Sequence, residues 1–302
     1  MSVRWRPAFL GRRAFPWVGP TWPGTVPRPP ATRNLGAEYD TKWARSPAAR
    51  LGRAVILDNV IRPAVKVLAD PQVGGLDRIE GLEGAVIFAS NHASHLDTPL
   101  LLANLPERYR HKTVVAAAAD YFFDKTFKAH INALSIAAFP VDRTTVSRRS
   151  LELATALLED GWSLVIYPEG GRTPDGWARE FRGGAAFLAR RVNVPVVPVH
   201  LEGTRRILRK GRGLAGVRRS TTHVTFGRPI DPAGMETKEL SARIERDVAI
   251  LADEVGTDWW TARRRAAGGT TPPLSGPEGG AWRRAWTLGE GRRRPSGVRW
   301  PA

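Results

Sequence analysis

Apolar positions along the chain alternate between two periods. Residues 84–89 (GAVIFA) form a short apolar run, suited in length to a buried strand of a parallel sheet, and end in Ser90-Asn91-His92. Leu96, Leu100, Leu101 and Leu105 then recur at helical spacing up to Pro106. Further strand candidates fall at 114–117, 136–141, 163–167, 194–199 and 222–226, with helical stretches at 147–159, 183–192 and 237–255. Strands alternating with helices predict an α/β fold, a single domain with a mainly parallel central sheet flanked by helices. Pro195 and Pro198 remove ladder donors from 194–199, so that strand is expected at an edge or in an irregular position. Tyr121-Phe122-Phe123 is expected to pack as core.

Ahead of the sheet, Leu51, Val55, Ile56, Val60, Ile61, Val65 and Leu68 recur at helical spacing, interleaved with Arg53, Arg62 and Lys66. This N-terminal amphipathic helix is either an ordinary packing helix or one lying in a membrane interface, and Pro63 is expected to kink it. Both ends of the chain lose periodicity. Residues 1–37 carry six arginines and no acid, and 261–302 carry nine arginines against Glu278 and Glu290, so +4 of the net charge of +17 remains for 38–260. The basicity belongs to the ends, which are rich in Arg, Pro, Gly and Trp and read as disordered tails. A nucleic-acid-binding protein gripping phosphates through these tails is the rival of another class, and the evenly charged centre argues against it.

Zero cysteines exclude disulfides, thiolate metal sites and a cysteine nucleophile. Arg12-Arg13 precedes a stretch broken by prolines, with no apolar core of a signal peptide, and no run reaches the ~18 apolar residues of a spanning helix. These features predict a cytoplasmic location, peripheral at the inner face of the cell membrane.

The candidate chemistry sits at strand ends. Within one helix, His92 and Asp97 would lie about 140° apart. With His92 in the turn and Asp97 in the first helical turn, the carboxylate can receive a ring N–H, which fixes the tautomer and leaves the other nitrogen as a general base. Ser94-x-x-Asp97 is equally a capping box, in which Asp97 serves only the helix N–H groups. A metal site from His92, His95 and Asp97 is disfavoured, because no further ligands cluster nearby. After the strand at 163–167, Gly170 and Gly171 allow close backbone approach to a ligand, and Arg172 offers a fork suited to phosphate. Arg143, directly after another strand, is a second candidate for an anionic group. Gly211-x-Gly213-x-x-Gly216 follows no strand and opens no helix, so it reads as a loop rather than a dinucleotide fingerprint. His111, His130, His200 and His223 have no evident partners in the sequence.

Four segments in order, Asn91-His92-x4-Asp97, Phe139-Pro-Val-Asp-Arg143, Tyr167-Pro-Glu-Gly-Gly-Arg172 and Val194-Pro-Val-Val-Pro-Val199, resemble the motif blocks of the glycerolipid acyltransferases. The resemblance is nearest to the 1-acyl-sn-glycerol-3-phosphate acyltransferase branch. It covers roughly 80–230 within a domain at 38–260, and it implies a glycerol-3-phosphate acyltransferase-like fold. It further implies that His92 is the general base and Asp97 its orienting partner. Arg143, Glu169, Gly170, Gly171 and Arg172 would form the acceptor phosphate site, with Glu169 positioning an arginine or hydroxyl. Asn91, Ser94, Pro195 and Pro198 would be supporting residues, the Pro-rich strand lining the acyl or acceptor pocket. The implied reaction needs no cofactor and no metal. It moves an acyl group from acyl-CoA or acyl carrier protein to lysophosphatidic acid, at an anionic membrane surface. Another lysolipid, a glycolipid or an acylated amino acid are the alternative acceptors.

One departure stands out. The family's third block usually reads Glu-Gly-Thr-Arg, whereas position 171 here is Gly. A literal Glu-Gly-Thr-Arg occurs at Glu202–Arg205, after the Pro-rich strand, and is set aside as out of order.

Overall fold

A computed structural model describes residues 36–142, 148–173, 175–208 and 217–276. Arg143, the glycine loop at 211–216, and the segments 1–35 and 277–302 lie outside them. The chain enters with α1 (Pro47–Ile56), a π-helical turn at 57–61 and α2 (Arg62–Ala69). Then follow β1 (Pro71–Gly74), β2 (Ile87–Ser90), α3 (Asp97–Asn104), α4 (Glu107–Arg110), β3 (Thr113–Ala118) and α5 (Ala119–Phe122). The series continues with α6 (Thr126–Ile136), β4 (Ala138–Val141), α7 (Arg148–Glu159), β5 (Ser163–Ile166), α8 (Gly184–Val192) and β6 (Val196–Glu202). It ends with α9 (Thr204–Ile207), β7 (Thr222–Phe226), α10 (Thr237–Gly256) and α11 (Trp259–Ala267).

The strands form one seven-stranded sheet in the order β1-β7-β6-β2-β5-β3-β4, parallel except between β6 and β7. The mainly parallel sheet expected from the alternating pattern is therefore present. All of β2 is buried, as a central strand covered on both faces must be. Its side chains alternate between two cores, as a period of two requires. Ile87 and Ala89 join α7, α8 and α10 on one face, and Val86 and Phe88 join α2, α3 and α4 on the other.

Of the two places expected for the Pro-rich strand it takes the irregular one, third from an edge, and three other expectations are corrected. Pro195 precedes the strand and supplies only its carbonyl, to Ile87 N–H at 3.0 Å. The missing donor of Pro198 falls where the ladder with β7 breaks. There Gly227 N–H reaches the Pro198 carbonyl at 2.8 Å, and pairing resumes only at Val196 and Ile230. A Cβ on Gly227 would lie 2.6 Å from Pro198 Cγ, so glycine is what admits the ring.

The strand expected from 136 begins at Ala138, because α6 runs through Ile136 and closes on Ala137 at φ 51°. Of Tyr121, Phe122 and Phe123, only Phe123 is buried, and Tyr121 is 40% exposed. The domain does not stop at 260. An Asp258 N-cap starts α11, Arg265 pairs with Asp253 of α10 at 2.6 Å, and the following segment returns to give Ala178 N–H→Leu274 O at 3.0 Å.

The N-terminal helix forms, with its π turn immediately before Pro63. Its apolar positions divide between two faces: Leu57 and Val65 are buried, while Leu51, Val55, Val60 and Val67 are exposed. Arg53 is buried, not part of a basic surface. Its Nε donates to Leu134 O at 2.9 Å and its guanidinium also reaches Ala44 O, tying α1 to α6. Burial lowers its pKa to about 10, which still leaves it charged.

Candidate active site

The centre of the site is the turn after β2. Asn91 pins that turn to β6 through a pair of bonds, Nδ2 to Leu201 O and Leu201 N–H to Oδ1, each 2.8 Å. The next residue is fixed on every side. Glu169 Oε1 accepts the His92 N–H at 2.7 Å, and the His92 carbonyl accepts Thr173 N–H at 3.0 Å. His92 Nδ1 lies 2.8 Å from Asp97 Oδ2. The imidazole stacks on Tyr167 with ring centres 4.0 Å apart, and the Tyr167 hydroxyl bonds Thr98 Oγ1 at 2.9 Å. Nε2 is left for the cavity that the ring lines.

Besides the His92 ring, Asp97 meets backbone amides of the turn that precedes α3, not those of the helix itself. The same Oδ2 accepts Ala93 N–H at 2.7 Å and Ser94 N–H at 2.8 Å, and the residue is 1% exposed. Ser94, also buried, donates to Leu208 O at 2.6 Å and accepts Leu96 N–H at 3.1 Å. It braces the turn without reaching the cavity. His95 turns to Tyr121, with Nε2 3.0 Å from its hydroxyl, and burial with the nearby Arg172 lowers its pKa to about 4.

Glu169 is fully buried and meets two backbone amides, His92 N–H and Arg179 N–H at 3.0 Å. It joins the His92 turn to the loop before α8 rather than positioning an arginine or hydroxyl side chain. Burial pushes its pKa up to about 7 against the pull of those two donors. Gly170 adopts φ 71°, and its N–H is spent on Tyr167 O at 3.0 Å, so this amide is not offered to a ligand. Gly171 and Arg172 do line the cavity, with Arg172 over the Tyr121 ring at 5.4 Å. Asp175 Oδ1 accepts Trp177 N–H at 3.2 Å and so closes the loop.

Arg182 is a residue the sequence reading missed. Its guanidinium lies against Gly170, where a Cβ would sit 3.1 Å from Cζ, and it lines the cavity with Arg172. The signal lay in its place just before Gly183-Gly184 at the start of α8.

The cavity itself, about 210 Å³, runs from His92, Tyr167 and Arg172 back between the sheet and helices α7 and α8 to Leu164, Ala154 and Leu188. Three residues of β-strand separate Tyr167 from Leu164, a depth of about 10 Å. Its inner wall is apolar and its rim carries the arginines. Neither Pro195 nor Pro198 lines it, because both are used in strand pairing. Glu202–Arg205 lies outside it, at the end of β6 and in α9.

A family model described as Acyltransferase matches residues 70–202, a span that contains His92, Asp97, Glu169, Arg172 and both prolines. The matched span, under half of the chain, is similar to an acyltransferase domain. It is 29% identical over 146 residues to a chloroplastic 1-acyl-sn-glycerol-3-phosphate acyltransferase of Brassica napus, covering 46% of this chain and 39% of the relative. It is 26% identical over 181 residues to the 1-acyl-sn-glycerol-3-phosphate acyltransferase of Cocos nucifera, covering 59% and 57%. The chain thus spans from two fifths to under three fifths of these relatives' length. The crystal structure of PlsC, a 1-acyl-sn-glycerophosphate acyltransferase from Thermotoga maritima, superposes with a TM-score of 0.55 at 25% identity, covering 68% of this chain and 82% of that one. The acyltransferase match and the PlsC-like fold thus agree with the four ordered blocks.

Proposed function

We propose that this chain is an O-acyltransferase that moves a fatty acyl group from a thioester donor to the free hydroxyl of lysophosphatidic acid, giving phosphatidic acid. The observation that carries the reading is one arrangement: an Asp97-held His92 at the mouth of an apolar cavity whose rim bears Arg172. In this scheme the acyl chain occupies the cavity and its thioester carbonyl lies at the rim. His92 Nε2 takes the proton of the acceptor hydroxyl as its oxygen attacks the carbonyl carbon. The tetrahedral intermediate collapses, the C–S bond breaks, and the imidazolium returns the proton to the leaving thiolate. Asp97 holds the tautomer and stabilises the transient positive charge. Arg172 and Arg182 supply donors to the acceptor phosphate. Loss of thiol release in His92→Ala with an unchanged circular dichroism spectrum tests the scheme, and wild-type rates in that variant would remove His92 from it.

A membrane surface is the proposed meeting place. Among the described residues no helix is long and apolar enough to cross a membrane. Leu51 and Val55 of α1 and Phe127 and Ile131 of α6 are exposed, Phe127 at 77%, and these two helices pack together. Arg50, Arg62, Lys66 and Lys125 are exposed on the same elements or beside them. Apolar side chains with flanking cations suit an anionic bilayer interface.

A further inference from the structure

Three segments around the cavity mouth meet on the ring of Tyr121, a residue of α5 that lies outside the four motif blocks. Tyr121 lines the apolar cavity and is 40% exposed. From the His92 turn, His95 stacks on it with ring centres 5.3 Å apart and planes 21° from parallel. His95 Nε2 also lies 3.0 Å from the Tyr121 hydroxyl. From α6, Lys128 Nζ lies 3.9 Å from the ring centre and donates to the Tyr121 carbonyl. From the loop after β5, Arg172 Cζ lies 5.4 Å from the same centre. Phe122 meets both rings edge to face, Tyr121 at 5.0 Å and His95 at 5.9 Å.

Each contact removes freedom from the tyrosine. Burial first, then the charge of Arg172, lowers the pKa of His95 to about 4. The imidazole is thus neutral and braces the ring without adding a third cation. An aromatic face attracts a cation within about 6 Å of its centre, and both Lys128 and Arg172 meet that distance. The attraction acts on the charge of a guanidinium and leaves its planar fork of N–H groups for oxygen ligands. A loop arginine without such a support gives up rotamer freedom when it binds an anion, and affinity falls accordingly. We propose that Tyr121 is a positioning residue: braced by His95, its ring presets Arg172 at the cavity rim and so sets the preference for a phosphate-bearing acceptor. For its substrate this assignment rests on the acyltransferase reading, whereas the placement of Arg172 can be measured without turnover.

The test uses the full chain and two substitutions of one residue. Tyr121→Phe keeps the ring, and Tyr121→Leu removes it. Tyr121→Leu should raise KM for lysophosphatidic acid about tenfold, with kcat and KM for a long-chain acyl-CoA little changed. Tyr121→Phe should recover most of that loss, because the face that draws the cation remains. His95→Gln, which leaves the ring in place without its brace, should raise the same KM to a smaller extent. Equal losses in the Phe and Leu variants, a fall in kcat at unchanged KM, or no change in either variant would overturn the proposal. Nuclear magnetic resonance reads the placement directly. The Arg172 Nε–H resonance, assigned by its loss in Arg172→Lys, should move in Tyr121→Leu and stay near its wild-type position in Tyr121→Phe. A resonance unmoved by Tyr121→Leu would overturn the proposal whether or not the chain transfers acyl groups. A resonance that moves as expected, in a chain that releases no thiol with any acceptor, supports the placement and counts against the acyltransferase reading, so the two failures are distinguishable.

Discussion

The buried carboxylate of Glu169 accepts the backbone N–H of His92 at 2.7 Å, across 77 residues of sequence. Two of the four motif blocks are thereby joined through the main chain of the His92 turn. With Arg179 N–H on its other oxygen, Glu169 fixes the positions of His92 and of the loop that carries Arg172. Burial raises its pKa from the ordinary 4.5 to about 7. An acid with a higher pKa folded than unfolded binds its proton more tightly in the folded state. Stability therefore falls as pH rises from about 4.5 to about 7 and levels off above. The full effect is about 3 kcal/mol. Glu169→Gln removes this titration. The stability of wild type relative to that variant, measured by urea unfolding, should decline across the window, and a pH-independent difference would contradict the assignment.

Asp97 gathers three donors on one oxygen, and Asn could offer that oxygen without the charge. Asp97→Asn is expected to lower kcat by about 10²–10⁴ with little change in the KM of either substrate, because binding groups are untouched. Steady-state kinetics with a long-chain acyl-CoA decides it. A rise confined to KM would place Asp97 in binding instead.

The floor of the apolar cavity includes Ala154 of α7. Ala154→Phe should shift preference towards shorter acyl chains, with activity on the shortest donors retained. Competition between long-chain and medium-chain acyl-CoA in one assay reads the ratio directly. An unchanged ratio would mean that the acyl chain lies elsewhere.

The exposed apolar residues of α1 and α6 predict binding to vesicles. Leu51→Asp combined with Phe127→Asp should reduce sedimentation with vesicles containing anionic lipid, and added salt should weaken the wild-type interaction. Undiminished binding of the double variant would move the contact to another surface.

Much of this was legible in the sequence because it rests on local signals. The continuous apolar run of β2, the helical recurrence of Leu100 and Leu101 and the turn at His92 depend on neighbouring residues alone. The His92–Asp97 pair followed from spacing plus one boundary, the start of α3. What escaped depended on distant partners. Glu169 serves two amides that no local pattern points to, one of them 77 residues away in sequence. Arg53 looks like a surface cation by spacing, yet it is drawn inward by the carbonyls of Ala44 and Leu134. Arg265 resembles the rest of an Arg-rich tail, but Asp253 makes it part of the domain.

The most direct test of the central claim is thiol release from a long-chain acyl-CoA in detergent micelles, with lysophosphatidic acid and a matched phosphate-free monoacylglycerol compared side by side. The arrangement of His92, the apolar cavity and Arg172 predicts release with lysophosphatidic acid well above that with monoacylglycerol, and a loss of that preference in Arg172→Ala. Equal release with both acceptors, or release with neither, would contradict it.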